Sequence, residues 1–302
     1  MVDLSFVTAD VFTSKRFGGN PLAVFPNCVP LDTDRMQAIA REFNLSETVF
    51  AFPARARNAT RQLRIFTPER ELPFAGHPTV GTAIVLAEQG YLGDIGAHAD
   101  IAFEEGAGLV PVRLERRSGN WSAALSAPII PKIIPCQLNP LALAHAVGLT
   151  LADLSTQAAP TIASAGVPFL FLPVRNRDAL SRARPDIGRW SEYLGGLPTQ
   201  EILLFTLYDW RAGREVHARM FAPSLGVVED PATGGAAAAA GRTLFDLQKP
   251  DGATTAWIIW QGADMGRLSR IDLTIHVEKG ELARVEVGGE AVLISEGRYF
   301  HP

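Results

Sequence analysis

Two helices composed almost entirely of small and apolar residues constrain the fold of this chain more than any other feature. The later helix starts at Gly234 and Gly235 and continues through five alanines, Ala236 to Ala240. The earlier helix follows Gly76 and contains Thr82 to Ala87. A helix that is apolar on most of its faces belongs in the interior of a protein. We therefore expect each helix to be enclosed by other elements of the fold.

The stretches around these helices are repeated in the same order along the chain. In each half an apolar stretch that ends in proline comes first, an Arg-x-Phe-x-Pro segment follows, and a turn rich in proline and glycine comes last. Three matched pairs at a nearly constant offset indicate an internal duplication. The pairs are residues 19–26 with 166–173, 64–68 with 219–223, and 78–81 with 231–234.

The duplication predicts an α+β fold of two pseudo-symmetric halves, each a curled, mostly antiparallel sheet around a central helix. Hydrophobic residues make up 47% of the 302 residues, which is ample for two separate cores. Most other apolar segments are short and rich in β-branched or aromatic residues, which predicts strands. The proline-rich stretch 127–135 predicts a linker, so the expected halves are residues 1–126 and 127–289.

Both apolar helices begin at glycine turns, and this predicts two binding sites for an anion. The first N–H groups of a helix have no partner within the helix, and the helix dipole favours negative charge there. Gly76, Gly234 and Gly235 are therefore candidate substrate-binding residues. Because ligand sites favour domain interfaces, we expect an active site in a cleft between the two halves.

Glu47 is a carboxylate on a strand face that is otherwise apolar. Its alternating neighbours on that face are Leu45, Val49 and Ala51. Loss of water around the carboxyl group would raise its pKa towards a value useful for a general acid or base. A structural carboxylate in a salt bridge is the other interpretation of this position.

Asp230 and His77 stand beside the two glycine turns. Asp230 is a candidate catalytic residue, or a helix cap that pairs with the dipole, and both roles are compatible. His77 is a candidate for a hydrogen bond to substrate, or a turn histidine that bonds its own backbone.

Charge and motifs exclude several classes of partner and cofactor. The formal net charge of −4 provides no basic field, so we expect neither nucleic acid nor an acidic membrane surface as a partner. The chain has neither a Gly-Lys-Ser/Thr phosphate loop nor a Gly-x-Gly-x-x-Gly turn after a strand, and we expect no cofactor. Two cysteines make neither a disulfide framework nor a zinc site.

We also expect no metal, because the remaining histidines lack the spacing of metal ligands and are expected to be structural. These residues are His98, His145, His217, His276 and His301. The first twelve residues lack the features of a signal peptide, and no apolar run approaches the ~20 residues that span a bilayer. A reducing cytoplasm is the expected location.

Several motifs of this sequence are similar to those of the PhzF family of phenazine-biosynthesis-like isomerases. The resemblance runs in the same order from about residue 5 to residue 297. It implies the fold of diaminopimelate epimerase, in which two pseudo-symmetric halves each wrap a sheet around a helix. It also implies that residues 290–302 return to the first half and that the protein is a homodimer. The matching motifs are residues 20–25, 45–48, 74–79, 229–234 and 261–267.

The resemblance also assigns roles to individual residues. It implies that Glu47 is the catalytic acid/base and that His77 and Asp230 line the site with it. Asn20 of the first motif joins the glycines as a substrate-binding residue. The family commonly has serine where this sequence has Gly235, which removes a hydroxyl group and leaves the identity of the substrate open.

The function expected from these observations is a cofactor-independent isomerase that moves a proton on a small, unsaturated or cyclic carboxylic acid. One carboxylate, Glu47, takes the proton from one carbon and returns it to another. One alternative is an epimerase or racemase of an amino or imino acid that uses Glu47 and Asp230 on opposite faces. The other is a non-catalytic ligand-binding or interaction protein on the same scaffold.

Overall fold

The chain consists of two compact units. A computed structural model describes residues 3–117 and 119–300, without the side chains of Asp3 and Arg117; the expected structural role of His301 lies outside these residues. One unit comprises Met1–Pro128 with Gly288–Pro302, and the other comprises Ile129–Val287.

The first unit contains one buried helix and one amphipathic helix among its strands. Strands β1 and β2 pair antiparallel, whereas β2 with β3 and β4 with β6 pair parallel. Strands β3 with β4, β6 with β7 and β7 with β8 pair antiparallel. The elements are β1 Asp3–Val11, β2 Asn20–Phe25, α1 Thr33–Phe43, β3 Glu47–Pro53, β4 Arg61–Phe66, β5 Glu71–Leu72, α2 Gly76–Glu88, β6 His98–Glu105, β7 Gly108–Arg117 and β8 Asn120–Ser126.

The second unit repeats this order of pairing. Strands β11 with β12 and β13 with β15 pair parallel, and β12 with β13 and β15 with β16 pair antiparallel. The elements are β9 Lys132–Ile133, α3 Pro140–Ala146, β10 Thr161–Ser164, β11 Pro168–Pro173, α4 Arg177–Arg182, α5 Trp190–Leu194, β12 Ile202–Leu207, β13 Glu215–Ala222, β14 Val227–Asp230, α6 Gly234–Gln248, β15 Thr254–Gln261, β16 Ser269–Glu278 and β17 Glu281–Phe300.

The two apolar helices are the centres of the two units. Helix α2 packs against β1, β2, β3, β7 and β8, and every residue from Gly76 to Leu86 is buried. Helix α6 packs against β9, β10, β11 and β16, and Ala236 to Ala240 are all buried. Because a helix without a polar face must be covered by apolar side chains, each sheet curls around its helix. The predicted α+β class with two pseudo-symmetric halves is confirmed.

The strand registers define which residues of the two units correspond, and one predicted match is wrong. Phe66 pairs with Thr48 as Phe221 pairs with Ile202, so the Arg-x-Phe-x-Pro segments do match. Residues 78–81 lie inside the first turns of α2, whereas residues 231–234 precede or begin α6. The true match is Glu-x-Pro-x-x-Gly, at residues 71–76 and 229–234.

The proline-rich stretch predicted as a linker contains a short strand. Lys132 and Ile133 pair antiparallel with Ser164 and Ala163 of β10, so this part of the stretch belongs to the sheet of the second unit. The last strand, β17, contributes to both units, because residues from Gly288 onward belong to the first one. Its final part pairs antiparallel with β1, from Asp3 opposite Phe300 to Val11 opposite Ala291. None of the helices within residues 3–117 and 119–300 is long and apolar enough to cross a membrane.

Replacing Gly81 with alanine should destabilise the first unit, although alanine normally favours a helix. A Cβ atom at Gly81 would lie 2.5 Å from Val11 Cγ2 and 2.6 Å from Leu22 Cδ2, and both side chains are fully buried. We expect a loss of about 1–3 kcal/mol of unfolding free energy, typical of an overpacked core. Urea denaturation measures this loss. The control is Gly188→Ala on the surface, where a Cβ would make only an ordinary contact, 3.7 Å from Asp186 Oδ1, and stability should not fall. Equal stability of the two variants would contradict the close packing.

Candidate active site

Glu47 and His77 lie in contact in the first unit. Glu47 is the first residue of β3 and pairs with Leu22 of β2, and His77 is the second residue of α2. The His77 Nε2 atom lies 3.1 Å from Glu47 Oε2, and their side chains are 5% and 16% exposed. The sheet register and the helix start therefore bring a nearly dry imidazole and a carboxylate together.

His77 is uncharged in this arrangement. Burial lowers the pKa of His77 from 6.5 to about 3. The Asn20 Nδ2 atom lies 3.5 Å from His77 Nδ1, a long contact in which the amide donates and the ring nitrogen accepts. We therefore assign the proton of the neutral imidazole to Nε2, the ring nitrogen that lies 3.1 Å from Glu47 Oε2. The sequence left open whether His77 bonds its own backbone or a substrate. In the structure its ring nitrogens contact Asn20 and Glu47 rather than its own backbone.

The start of α2 carries no side-chain cap. Its N-cap residue, Ala75, has extended backbone angles and no side chain that could accept a hydrogen bond. No acidic residue occurs in the first turn, which includes Gly76 and His77. No residue at the N-cap or in the first turn therefore neutralises the positive end of the helix dipole, which favours binding of an anion there.

In the second unit a buried glutamine holds the turn that contains Asp230. Gln261 is 1% exposed, and its Nε2 atom lies 2.8 Å from the Asp230 carbonyl oxygen and 3.0 Å from Thr233 Oγ1. The Thr233 hydroxyl group in turn donates to Asp230 Oδ2 at 2.5 Å, and the Thr233 N–H donates to Gln261 Oε1 at 3.3 Å. The Asp230 carboxylate thus accepts from a side chain rather than from the helix backbone in these contacts.

A buried arginine anchors the strand that leads to Asp230. Arg219 is 4% exposed and bonds Glu229 with two parallel hydrogen bonds of 2.8 Å. Its Nη1 atom donates to three carbonyl oxygens at the end of α4. Because the last carbonyls of a helix lack partners within the helix, the guanidinium satisfies them and fixes β14. The three carbonyls belong to Leu180, Ser181 and Ala183.

Gly234 and Gly235 open α6 as predicted, and the space beside Gly235 is limited by an aromatic ring. The N-cap residue Thr233 uses its hydroxyl group on Asp230 and does not cap the helix. A Cβ atom at Gly235 would lie 3.6 Å from the ring of Phe169, an ordinary contact. The absence of a side chain at Gly235 therefore leaves room beside the helix start that a serine would fill without strain.

The structure thus brings Asn20, Glu47 and His77 into one contact chain next to Gly76, and it groups Asp230 with Gly234 and Gly235. The predicted cleft between the halves stays a prediction. Sequence reasoning missed the supporting roles of Arg219, Thr233 and Gln261. Arg219 was visible as part of a repeated segment, but its partner Glu229 becomes evident only when the Glu-x-Pro-x-x-Gly match is used.

No group of three or more histidine, cysteine, aspartate or glutamate side chains that could hold a metal ion occurs among the described residues. Two histidines outside the site engage other protein groups. His145 packs edge-on against Tyr193, and His276 lies 3.4 Å from Glu286.

Comparisons with known proteins place the chain in a family of isomerases. The sequence matches the family PhzC-PhzF, described as phenazine biosynthesis-like protein, over residues 9–297. A trans-2,3-dihydro-3-hydroxyanthranilate isomerase of Pseudomonas aeruginosa is 35% identical over 98% of this chain and 99% of its own length. An uncharacterized isomerase of Mesorhizobium japonicum is 40% identical over 98% of both chains.

A solved structure agrees with this assignment. The crystal structure of a PhzF-family phenazine biosynthesis protein of Bacillus anthracis covers 100% of both chains with a TM-score of 0.88 and 27% identity. The fold and the nature of the relatives define an isomerase with the diaminopimelate-epimerase architecture. The chain belongs to the phenazine biosynthesis-like family, PhzC-PhzF.

Replacing His77 with glutamine should change how stability depends on pH. Because the pKa of His77 is lowered from 6.5 to about 3, the unfolded chain binds a proton between these values that the native protein does not. The wild type should therefore lose stability relative to His77→Gln as the pH falls from 6.5 towards 3, by up to about 1.4 kcal/mol per pH unit. Urea denaturation from pH 7 to pH 4 measures the difference; a constant difference would show that His77 is charged in the native protein.

Proposed function

We propose that this isomerase moves a proton along a small unsaturated carboxylic acid, with Glu47 as the acid/base and without a cofactor. The observation that carries the proposal is the buried contact between Glu47 Oε2 and the uncharged imidazole of His77. A carboxylate in contact with a cation becomes a weaker base, because the positive charge stabilises its ionised form. A neutral imidazole contacts the carboxylate without adding a full positive charge beside it.

Proton removal next to a carboxylate also needs a place for the developing negative charge. The uncapped start of α2 at Gly76 offers backbone N–H groups near His77. The start of α6 at Gly234 and Gly235 offers a second set beside Asp230. We propose that backbone N–H groups of this kind bind the carboxylate of the substrate, and that Asn20 and Asp230 contribute polar contacts.

A cyclic, unsaturated carboxylic acid is the substrate class that we propose. The named relatives isomerise trans-2,3-dihydro-3-hydroxyanthranilate, which is a compound of this class. A base that takes a proton from one carbon and returns it to another shifts the double bonds of such a ring. Because Gly235 leaves space next to Phe169, a substrate larger than that of the relatives is compatible with the second unit.

Replacing Glu47 with glutamine should remove proton transfer while leaving the fold intact. Glutamine keeps the shape of the side chain and its contact with His77 but cannot take a proton. We expect a loss of about 10²–10⁴-fold in turnover of trans-2,3-dihydro-3-hydroxyanthranilate, the usual contribution of a general acid or base. The measurement is product formation in D2O, with deuterium incorporation followed by mass spectrometry.

The matched control is Glu69→Gln, which removes an exposed carboxylate of the same unit and should leave turnover unchanged. Unchanged turnover in Glu47→Gln would rule out Glu47 as the acid/base. Inversion at a single carbon, abolished equally by Asp230→Asn, would favour the epimerase alternative over a proton shift. If wild-type protein does not turn over this compound, other cyclic unsaturated acids are tested in the same deuterium assay.

A further inference from the structure

Behind the start of α2 lies a second buried carboxyl group that the proposed reaction does not use. Glu105 is the last residue of β6 and is 7% exposed. The Thr79 Oγ1 atom lies 2.7 Å from Glu105 Oε1 and 2.7 Å from the carbonyl oxygen of Ala75. A hydroxyl group has one hydrogen and can donate to only one of these oxygens. If both contacts are hydrogen bonds, one of the oxygens must bring a proton of its own.

A backbone carbonyl has no proton to donate, so the geometry points to the carboxyl group. We propose that Glu105 is a neutral carboxylic acid that donates to Thr79 Oγ1, while the Thr79 hydroxyl group donates to the Ala75 carbonyl oxygen. This chain of two hydrogen bonds fixes the N-cap residue of α2 and with it the turn that presents Gly76 and His77. Glu105 is thus a positioning residue that acts through Thr79, rather than a catalytic residue.

The second unit contains an independent version of the same device. Gln261 ends β15, which runs parallel to β13, just as Glu105 ends β6, which runs parallel to β4. Gln261 donates its amide protons to Thr233, the N-cap residue of α6, and to the Asp230 carbonyl. A protonated glutamate has the shape and donor capacity of glutamine, whereas an ionised one is an acceptor only.

The residues that follow confirm that these two positions correspond. A Cβ atom at Gly106 would lie 2.8 Å from Pro73 Cα, and one at Gly262 would lie 2.7 Å from the Pro231 carbonyl oxygen. Each glycine therefore lets its strand approach the proline of the Glu-x-Pro-x-x-Gly turn closely. Glu105 and Gln261 precede these glycines and support the same turn in their own units.

The surroundings of Glu105 favour the uncharged form. Burial raises the pKa of Glu105 from 4.5 to about 8, and the hydrogen bond with Thr79 opposes this shift only in part. The Glu105 Oε2 atom is buried without a hydrogen-bond partner among the described residues. Burying the carbonyl oxygen of a neutral carboxyl group without a partner costs much less free energy than burying an unpaired charged oxygen.

Few charged groups face Glu105 from the elements around it. On α2 the titratable residues are His77, which is neutral, and Glu88, which is exposed at the opposite end of the helix. On β4, Arg61 donates to the carbonyl oxygens of Thr60 and Tyr91, near the far end of α2. Arg64 of the same strand forms its ion pair with Glu71 of β5.

The other elements add no countercharge. Strand β7 presents Val110, Val112 and Leu114 on its buried face. The arginine side chains that the structure describes on this strand, at positions 113 and 116, are exposed and bond groups away from Glu105. The segment 73–75 and strand β8 have no titratable residues. Ionisation of Glu105 would therefore create a buried charge, and it would remove the donor that holds Thr79.

The inference goes beyond the proposed function, because it concerns how the helix start is held, whatever reaction takes place there. Its test uses folding and nuclear magnetic resonance rather than turnover. Failure of Glu47 as the acid/base would leave this inference standing, and failure of this inference would leave Glu47 untouched.

The test compares the wild type with Glu105→Gln, which has a permanent donor in place of the acid. The native wild type keeps a proton on Glu105 between pH 4.5 and about 8 that the unfolded chain has lost. The wild type should therefore lose stability relative to Glu105→Gln as the pH rises through this window, with a constant difference above it. The readout is the urea midpoint of both proteins from pH 5 to pH 9. A difference that does not change with pH in this window overturns the proposal.

A second readout needs no variant at position 105. In wild-type protein the amide signals of Gly76 and His77 should shift with a midpoint near pH 8, because ionisation of Glu105 releases the turn. Thr79→Ser keeps the hydroxyl group and should keep this titration, whereas Thr79→Val removes it and should abolish the titration at both amides. Signals of Gly76 and His77 that stay constant across pH 8 in the wild type, or titrate equally in Thr79→Val, overturn the proposal.

Discussion

Burial of two helices that begin inside the protein is the constraint on which this structure depends. A buried helix start leaves N–H groups and a positive dipole end away from bulk water, and both must be accommodated. The units do this without a capping side chain at Ala75 or Thr233. Instead, a side chain at the end of a parallel strand supports the turn that precedes each helix: Glu105 in the first unit and Gln261 in the second. The helix starts are thereby fixed in place while their N–H groups remain suited to an anionic ligand.

The duplicated scaffold carries different chemistry in its two copies. The register that places Glu47 opposite Leu22 places Glu201 at the corresponding position of the second unit, where it bonds the hydroxyl groups of Thr199 and Ser224. His77 corresponds to Gly235, so the second copy has no imidazole to contact its carboxylate. The pair that favours general acid/base chemistry therefore exists in only one of the two copies, although both copies retain the glycine turn.

The fold was largely predictable, because the features that determine it are local in sequence. The composition of α6, rich in alanine, and of α2, rich in apolar residues, predicts that both helices are buried. The Arg-x-Phe-x-Pro segments indicate the repeat. Glu47 stood out because it breaks an apolar face. The resemblance implied one site for Glu47 and His77, but their direct contact was not predictable, because 30 residues separate them and the packing of α2 against β3 brings them together. The strand at Lys132 was hidden because prolines surround it, although two residues suffice to extend the sheet.

The uncharged imidazole of His77 and the start of α2 together suit a base at the position of Glu47. A base that must take a proton from carbon benefits from a dry site, and it is weakened by any fixed cation in contact. His77 contacts the carboxylate without adding a charge, and the helix dipole provides positive potential without a titratable group. A cationic side chain in place of His77 would bind a carboxylate substrate more strongly, but it would also hold Glu47 in its ionised form and reduce its basicity. The neutral imidazole beside an uncapped helix start separates binding of the anion from activation of the base.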